Sequence, residues 1–399
     1  MAELDITFIM AYAISFVVIY MSSFFVLLFL ERRHEFHLAP SNARPGWRPF
    51  ISVIIPAYNE EASIAATIKS VLNSDYPKNK LEIIVVSDGS TDRTTEIAEG
   101  FRSKVVRVFP KKNTGKADSL NFGIRKAKGE IIATLDADSF VTKDAIKKML
   151  LHFDSSDVAA VTAAVKVHKP ENALQRIQHV EYLFTIFSRK ILSFVDSVHV
   201  TPGPLSLFRA SVFAEIGGFD VDNILEDQEI ALRIQSANYK IRSTVDAVVY
   251  TNAPSTMKSF FKQRIRWHRG GIRNSMKYLN LISPKYGDLG VFILPLSTLA
   301  VLMTVVVLLI TWLFYFQSRS YVSTLGLELI IFSFSPAHIF GILVFAFTLF
   351  WTYIGIRELR AEKVSFMSVI IYSVSYSYLI TIFLLIGLYK EITGAKLKW

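Results

Sequence analysis

Two aspartates, Asp136 and Asp138, follow the apolar run at residues 131–135 and are separated by a single residue. Carboxylates this close repel each other, and burying them without a partner is costly. A hard divalent cation would offset the repulsion, because Mg²⁺ binds a few carboxylates together with phosphate oxygens. A turn or a helix cap also uses such pairs, so the sequence context has to decide. Asp88, in the string VVSDGSTD, ends a neighbouring predicted strand and favours a site for a nucleotide and a metal ion.

A lysine at a predicted helix start, Lys116, closes the string NTGK at residues 113–116. Gly115 frees the backbone before it, and a lysine at a helix N-terminus can reach a phosphate group. The string is not a P-loop, which needs a longer spacing and a Ser or Thr after the lysine. We predict that Lys116 contacts a phosphate; a solvated lysine is the alternative.

A second acidic pair, Glu226 and Asp227, lies at the start of the helical string ILEDQEIALRI. Acidic residues are stabilised there by the helix dipole, which is sufficient reason for the pair to exist. A carboxylate that faces a cleft can also take the proton from an attacking hydroxyl group. The sequence leaves both interpretations open.

The string QRIRWHRGG at residues 263–271 combines an amide, arginines and an indole just before an apolar segment. Arg266 could neutralise a pyrophosphate, and Trp267 offers a flat face on which a sugar can stack, with Gln263 beside them. Trp and Arg are also typical anchors at a membrane border, which is the alternative interpretation.

Strands and helices alternate from residue 50 onward. Predicted strands cover residues 51–56, 81–87, 105–109 and 130–135, and predicted helices cover residues 62–72, 116–127 and a stretch from Asp92. This alternation predicts an α/β fold with a mostly parallel sheet and helices on both faces. Ligands of such sheets bind at the carboxyl ends of the strands. The chemically distinctive residues collect there: Tyr58, Asn59, Glu60, Asp88, Asp136 and Asp138.

Two long amphipathic stretches follow, at residues 173–194 and 259–281. Neither has an obvious soluble partner, and the second leads directly into an apolar segment, so both are predicted to lie at a membrane interface. Packing on the sheet is the alternative.

Hydrophobic residues make up 51% of the 399-residue chain, and the excess is localised. Residues 6–30, 289–316 and 364–388 contain no Asp, Glu, Lys or Arg, and residues 337–356 form a fourth apolar stretch after a short interfacial piece at 325–334. Each of the four is long enough to span a bilayer, and the first is too long for the core of a signal peptide. Arginines after the first and before the last stretch place residues 31–288 in the cytoplasm by the positive-inside rule. We predict an integral protein of the plasma membrane whose catalytic domain is cytoplasmic.

The net charge of +10 is explained by anionic membrane lipids and the positive-inside bias. No basic stripe alternates with aromatic residues, so no nucleic-acid partner is predicted. The absence of cysteine excludes disulfides, thiolate catalysis and zinc sites with cysteine ligands.

Taken together, these strings resemble the membrane-bound, processive family 2 glycosyltransferases, the cellulose, chitin, hyaluronan and poly-N-acetylglucosamine synthases. The resemblance covers residues 50–277 and places four motifs in the family's order: Asp88, the Asp136-x-Asp138 pair, the Glu226-Asp227 pair and Gln263-x-x-Arg266-Trp267. Leu225 stands where Thr is common. The segment VTPGPLSLFR at residues 200–209 is more similar to the acceptor-site segment of hyaluronan and poly-N-acetylglucosamine synthases than to that of cellulose synthases.

The resemblance implies a GT-A type fold and the following division of the chain. Residues 1–31 would be an N-terminal transmembrane helix, 45–255 the glycosyltransferase domain, 256–285 an interface helix, and 286–399 a region of about three spans. It also implies that a UDP-sugar binds at Tyr58, Glu60, Asp88, Lys116 and Asp136, and that Asp138 with Asp136 holds Mg²⁺ or Mn²⁺ on its diphosphate. Asp227, next to Glu226, would be the general base, while Gln263, Arg266 and Trp267 would border the acceptor and the diphosphate.

Three functions are compatible with these motifs. The first is an inverting enzyme that extends a polysaccharide processively and exports it across the membrane. The second is a single-transfer enzyme that loads one sugar onto a polyprenyl phosphate or glycolipid. The third is a membrane scaffold or sugar-nucleotide sensor without catalysis, which the complete set of carboxylates disfavours. We expect the first, because the Gln-x-x-Arg-Trp motif and the helix at residues 173–194 favour polymer synthesis.

Overall fold

The structure, a computed structural model, describes residues 6–299, 302, 336–360 and 364–394. Four parallel strands form one half of the sheet, with β1 between β2 and β4, and β3 at the outer edge. They are β1 (Ile51–Ala57), β2 (Leu81–Asp88), β3 (Val106–Lys111) and β4 (Ile131–Thr134). β1 and β2 are buried along their whole length, as expected for central strands covered on both faces. All four strands were predicted from the sequence.

The other half of the sheet makes the whole sheet mixed rather than mostly parallel. Its strands are β5 (Ser139–Val141), β6 (Val158–Val167), β7 (Ser206–Arg209) and β8 (Lys240–Thr251). The order is β3-β2-β1-β4-β7-β6-β8-β5, with β7 antiparallel to both β4 and β6 and β5 antiparallel to β8. The prediction of a mostly parallel sheet is therefore correct for the first four strands and for the pairing of β6 with β8, whereas β7 and β5 run antiparallel to their neighbours.

Helices cover both faces of the sheet, as predicted. In chain order the helices are α1 (Ile6–Arg32), α2 (Ile64–Leu72), α3 (Thr94–Glu99), α4 (Lys116–Lys126), α5 (Ala145–Leu150), α6 (Ala173–Phe194), α7 (Ala210–Ile216), α8 (Glu226–Ser236), α9 (Met257–Lys277), α10 (Leu289–Leu299), α11 (Pro336–Glu358) and α12 (Phe366–Ile392). One hydrophobic core lies between the sheet and α2, α3 and α5; a second lies between the opposite face and α4, α7 and α8.

The long helix α6 packs between the sheet and the apolar helices. Its first turn is closed by a capping box, in which the Asn172 side chain accepts the Gln175 N–H and the Gln175 side chain accepts the Asn172 N–H. Phe187 of α6 contacts Phe29 of α1 and Trp351 of α11, in a third core that also includes residues of β6 and β8. Packing on the sheet, the alternative for this helix, is confirmed; its contact with a membrane interface stays a prediction.

The predicted membrane spans coincide with helices wherever the structure describes them. The stretches at residues 6–30, 337–356 and 364–388 lie in α1, α11 and α12, whereas residues 325–334 and part of 289–316 lie outside the described residues. Within the described part of the chain, no unbroken helix has both the length and the hydropathy needed to cross a membrane. The two halves of α12, Phe366–Tyr376 and Tyr378–Ile392, meet both criteria together and are bent by 41° at their junction.

Helix α9 packs tightly against the segment that precedes α8. The side chain of the fully buried Asn274 accepts a hydrogen bond from Asn223 at 2.7 Å and donates to the Leu225 carbonyl at 3.2 Å and the Gln228 side chain at 3.1 Å. Gly270 lies one turn earlier, where a Cβ would come within 2.4 Å of the Leu225 Cβ. The absence of a side chain at Gly270 therefore lets α9 approach α8.

We predict opposite stability effects for two adjacent glycines of α9. Gly270→Ala should lower the thermal unfolding midpoint, because the new methyl group must displace Leu225. Gly271→Ala should leave the midpoint unchanged or raise it, because its nearest neighbour would be the Gln228 Oε1 at an ordinary 3.8 Å and alanine stabilises a helix interior by about 1 kcal/mol relative to glycine. Equal shifts of the midpoint for both variants, measured by circular dichroism, would contradict this packing.

Candidate active site

The two aspartates that follow β4 face a common cavity. The Ser139 N–H donates to the Asp136 carbonyl at 3.1 Å and closes a tight turn between β4 and β5. This turn places the side chains of Asp136 and Asp138 in the wall of a cavity of about 810 Å³, which Asp227 also lines. Ser139 and Thr251 hydroxyls donate to Asp138 at 3.2 and 3.4 Å. The sequence-based expectation that these carboxylates share one cleft is met.

Lys116 connects the two acidic pairs. Its Nζ lies 2.6 Å from an Asp136 oxygen and 3.2 Å from a Glu226 oxygen, so one ammonium group bridges the end of β4 and the start of α8. Burial lowers the pKa of Lys116, but the charges of Asp136 and Glu226 outweigh burial and raise the pKa above its ordinary value. Lys116 is therefore fixed as a cation at the first position of α4.

The backbone of Gly203 packs directly on this ion pair. A Cβ at Gly203 would lie 2.6 Å from the Lys116 Nζ and 2.6 Å from one Asp136 oxygen. Gly203 belongs to the VTPGPLSLFR segment, and it lines the cavity together with Pro202 and Pro204. This segment thus closes the cavity over the Lys116–Asp136 pair.

Glu226 and Asp227 occupy the first turn of α8, as predicted. The Asp227 carboxylate accepts the Gln228 N–H at 2.8 Å, and the Asp227 carbonyl accepts both the N–H and the hydroxyl of Thr201, at 3.0 and 2.9 Å. Burial and the adjacent charge of Glu226 raise the pKa of Asp227. Burial also acts to raise the pKa of Glu226, but the charges of Lys116 and Arg266 outweigh burial and lower it. Asp227 is therefore the carboxylate of this pair that binds a proton more readily.

Asp88 does not line the cavity but holds the loop that carries Lys116. The Asp88 carboxylate accepts the N–H groups of Thr114 and Gly115 at 3.0 and 2.8 Å and pairs with Lys111. Gly115 has a φ of +99°, a left-handed conformation that favours glycine. The role of Asp88 that the structure supports directly is to position Lys116.

Tyr58 and Glu60 lie beside the cavity rather than in its wall. Glu60 accepts a hydrogen bond from the Ser63 hydroxyl at 2.5 Å, and burial raises the pKa of Glu60, with the charge of Asp136 adding to the effect. Tyr58 is half exposed at the edge of the sheet. Their contact with a nucleotide stays a prediction.

The three predicted residues of the Gln-x-x-Arg-Trp motif, Gln263, Arg266 and Trp267, all line the cavity. Arg266 donates to the Ile224 carbonyl at 3.2 Å, and its charge lowers the pKa of both Glu226 and Asp227. One face of Trp267 is covered by the guanidinium of Arg264, which lies 4.1 Å from the ring centroid. The indole is thereby held in the cavity wall by α9 itself.

The sequence analysis missed the ion pair that joins α6 to α9. Arg264 is 1% exposed and pairs with Glu181 at 2.5 Å. Glu181 also lines the cavity, together with other polar residues of the same helix: Tyr182, Thr185, Ser188 and Arg189. These residues recur every three or four positions, and this polar stripe on a largely apolar helix was a signal that could have identified the face.

The donor set fits a divalent cation only if phosphate oxygens complete it. Within the described ranges, no group of three or more His, Cys, Asp or Glu side chains is arranged to hold a metal ion. Mg²⁺ and Mn²⁺ bound with a diphosphate need only one or two protein carboxylates, and Asp136 with Asp138 provides that number. Burial, with the charges of Asp136 and Glu60, raises the pKa of Asp138 to about 7. The charge of Lys116 acts in the opposite direction but does not outweigh burial, and a bound cation would supply further positive charge.

Residues 52–217 match the family model "Glycosyl transferase family 2". The chain is 33% identical over 250 residues to "Probable glycosyltransferase YdaM" of Bacillus subtilis and 32% identical over 225 residues to "Poly-beta-1,6-N-acetyl-D-glucosamine synthase" of Staphylococcus epidermidis. The matched regions are 59% and 55% of this chain, and they cover 60% and 54% of those relatives. The chain thus spans little more than half the length of the curated relatives it matches.

A solved structure shares the fold over nearly the whole chain. It is "Mannosyltransferase PcManGT from Pyrobaculum calidifontis in complex with GDP-Man and Mn2+", with a TM-score of 0.61, 19% sequence identity, and coverage of 97% of this chain and 100% of the other. The mixed eight-stranded sheet with helices on both faces is accordingly an α/β fold of the GT-A type. Together with the family match, these observations identify residues 52–217 as a glycosyl transferase family 2 domain.

Proposed function

We propose that this protein transfers a sugar, with inversion, from a UDP-sugar to the hydroxyl at the end of a growing polysaccharide. The observation that carries the proposal is that Asp136, Asp138, Lys116 and Asp227 line one cavity although they come from three separate parts of the chain. The names of the poly-N-acetylglucosamine synthases among its relatives support polymer synthesis as the product class.

The donor would bind with its diphosphate at the end of β4. Asp136 and Asp138 would hold Mg²⁺ or Mn²⁺ there, which when bound neutralises the charge that develops on the departing diphosphate. Lys116 and Arg266 bring fixed positive charge to the same region. The nucleobase would lie towards Tyr58, Glu60 and Asp88, at the adjoining strand ends. The mannosyltransferase structure of the same fold is a complex with GDP-Man and Mn²⁺, which supports a nucleotide-sugar donor bound together with a divalent cation.

Asp227 would accept the proton of the attacking hydroxyl. The acceptor oxygen forms the bond to the anomeric carbon from the face opposite the diphosphate, the bond from that carbon to the phosphate oxygen breaks, and the proton moves to Asp227. Because the pKa of Asp227 is raised, the group is a stronger base than an ordinary aspartate. Glu226 keeps its charge and helps to hold Lys116 in place.

The acceptor would leave the cavity along α9. Trp267 and Gln263 line the cavity there and can stack on and hydrogen-bond with a sugar. The apolar helices α1, α11 and α12 are proposed to anchor the protein in the plasma membrane, with the catalytic domain on the cytoplasmic side and the product leaving outward.

Single transfer of a sugar onto a polyprenyl phosphate or glycolipid is the second candidate function. The observation that favours it is the apolar character of part of the cavity wall, where Met276, Leu279 and Ile282 contribute side chains. These residues are between 39% and 69% exposed, which is unusual for side chains of this type.

The function is tested by product analysis with the purified protein in detergent. Labelled UDP-glucose, UDP-N-acetylglucosamine, UDP-glucuronate and their GDP counterparts are supplied with Mg²⁺, and we expect high-mass product from one of them. Product that is extractable into organic solvent would favour the second candidate.

Asp227→Asn should lower the rate of sugar transfer about 10²–10⁴-fold, because the proton acceptor is lost.

Asp222→Asn is the matched control, since Asp222 is an exposed aspartate of the segment before α8. It should retain full activity. If the Asp227→Asn variant transferred sugar as fast as the wild type, Asp227 would not be the general base.

Gly203→Ala is predicted to impair catalysis without preventing folding. The added methyl group must displace the Lys116–Asp136 pair, and a misplacement of about 1 Å at an active site can cost about a hundredfold in rate. The control is Gly46→Ala, where nothing lies within 4 Å of the new Cβ. Transfer rates and circular dichroism spectra of both variants check this, and an unaffected rate for Gly203→Ala would show that the cavity tolerates movement of the pair.

Metal binding should weaken in acid. Because burial raises the pKa of Asp138 to about 7, a proton competes with the cation below that pH. The dissociation constant for Mn²⁺ in the presence of UDP, measured by calorimetry, should be about tenfold higher at pH 6 than at pH 8 for one competing proton. Asp138→Asn should bind Mn²⁺ weakly at both pH values. If the dissociation constant of the wild type for Mn²⁺ did not change with pH, Asp138 would not be a metal ligand that has to lose a proton before binding.

A further inference from the structure

One arginine in the cavity wall, Arg189, has no partner among the residues that the structure describes. Arg189 makes no hydrogen bond or ion pair with any residue that the structure describes, and its Nη1 atom is buried. Asp227 lies close enough for its charge to act on the Arg189 guanidinium, but it forms no hydrogen bond with it. Burial lowers the pKa of Arg189 to about 10, which indicates a cation that the protein itself does not compensate. By contrast, Lys116 is paired with two carboxylates.

The position of Arg189 separates it from the predicted diphosphate site. Tyr182 of α6 is near Asp138, whose charge affects the Tyr182 hydroxyl. Arg189 is seven residues further along the same helix, which is two turns or about 10 Å. It lies beside Asp227 and near His199, both in the cavity wall. An anion that pairs with Arg189 would therefore lie on the acceptor side of the cavity.

Helices α6 and α9 start close together and run in the same direction, as two contacts near their first turns show. Asn172 hydrogen-bonds with the Ser255 carbonyl and Glu181 pairs with Arg264, and both pairs are 83 positions apart. The same offset places Arg189 level with Ile272.

The cavity wall changes in character along this direction. On α9 it begins with the polar and aromatic residues Gln263 and Trp267 and continues to the apolar residues Ile272 and Met276. On α6 the next turn after Arg189 contributes Leu192, and α10 contributes Leu294. Arg189 therefore lies at the border between the charged and the apolar parts of the cavity.

We propose that this part of the cavity binds the anionic head group of a lipid, with Arg189 as its ion partner and the apolar side chains against its hydrocarbon chain. A phosphate fits the guanidinium through two parallel hydrogen bonds. The proposal deepens the second candidate function, single transfer onto a lipid, and rests on it only for the lipid's role as acceptor beside Asp227. Binding of the lipid itself does not require sugar transfer.

The test is a titration of the full-length protein in dodecyl maltoside micelles with dodecyl phosphate, followed by tryptophan fluorescence. The neutral detergent is present in excess throughout, so a saturable change requires the anionic head group. We expect saturable binding by the wild type, at least about tenfold weaker binding by Arg189→Gln, and partial recovery with Arg189→Lys. Inorganic phosphate, which lacks the hydrocarbon chain, should bind at least about tenfold more weakly than dodecyl phosphate.

Lys80→Gln is the control for a simple loss of charge, because Lys80 is exposed at the amino end of β2, whereas the predicted metal-binding carboxylates follow the carboxyl end of β4. It should bind dodecyl phosphate like the wild type. Equal affinity of the wild type and Arg189→Gln for dodecyl phosphate would overturn the proposal, as would inorganic phosphate binding as tightly as dodecyl phosphate.

Binding of UDP and Mn²⁺ by the same samples separates the lipid-site hypothesis from the proposed function. If UDP binds but dodecyl phosphate does not, the proposed lipid site is wrong and the proposed function is unaffected. If dodecyl phosphate binds but no sugar is transferred, the lipid site is supported and the proposed function is not.

Discussion

The positive charge of Lys116 is the constraint on which the arrangement of the site depends. Asp136, Asp138, Glu226 and Asp227 converge on one cavity, and their mutual repulsion would separate them without a cation between them. Lys116 contacts Asp136 and Glu226, which joins the end of β4 to the start of α8. The compensation is incomplete, because the pKa values of Asp138 and Asp227 remain raised. The protein thus maintains two carboxylates with a higher affinity for a cation or a proton than isolated aspartates have.

Much of this site could be predicted because it depends on local sequence. The apolar runs of the first four strands, and the acidic residues that follow β2 and β4, are visible in the sequence and fix which edge of the sheet carries them. The start of α8 at Glu226 and of α4 at Lys116 follows from ordinary helix signals. The sequence alone therefore identifies the candidate site residues Asp136, Asp138, Lys116, Glu226 and Asp227.

The remaining features depend on contacts between distant segments. The pairing of Glu181 with Arg264 requires α6 and α9 to be parallel neighbours, which no local pattern specifies. Residues 206–209 form β7, whose insertion between β4 and β6 makes the sheet mixed, yet four residues of strand within a Pro- and Gly-rich segment give little periodicity. The contact of Asp88 with a nucleotide stays a prediction, but its hydrogen bonds to the loop before Lys116 could not be predicted from the sequence. In each case a tertiary contact decided what the local residue types left open.

Helix α12 is tied to α9, in the catalytic half of the protein, by the packing of Phe383 on Phe260 and Phe261 and by the carboxylate of Glu391. Glu391, near the end of α12, pairs with both Arg269 and Arg273 of α9, and α12 approaches the α9 backbone closely at Gly387. An exchange of the C-terminal helices between related proteins would therefore succeed only if the incoming segment brought an acidic residue at this point. Otherwise the ion pairs of Glu391 would be lost from the helix that holds Trp267.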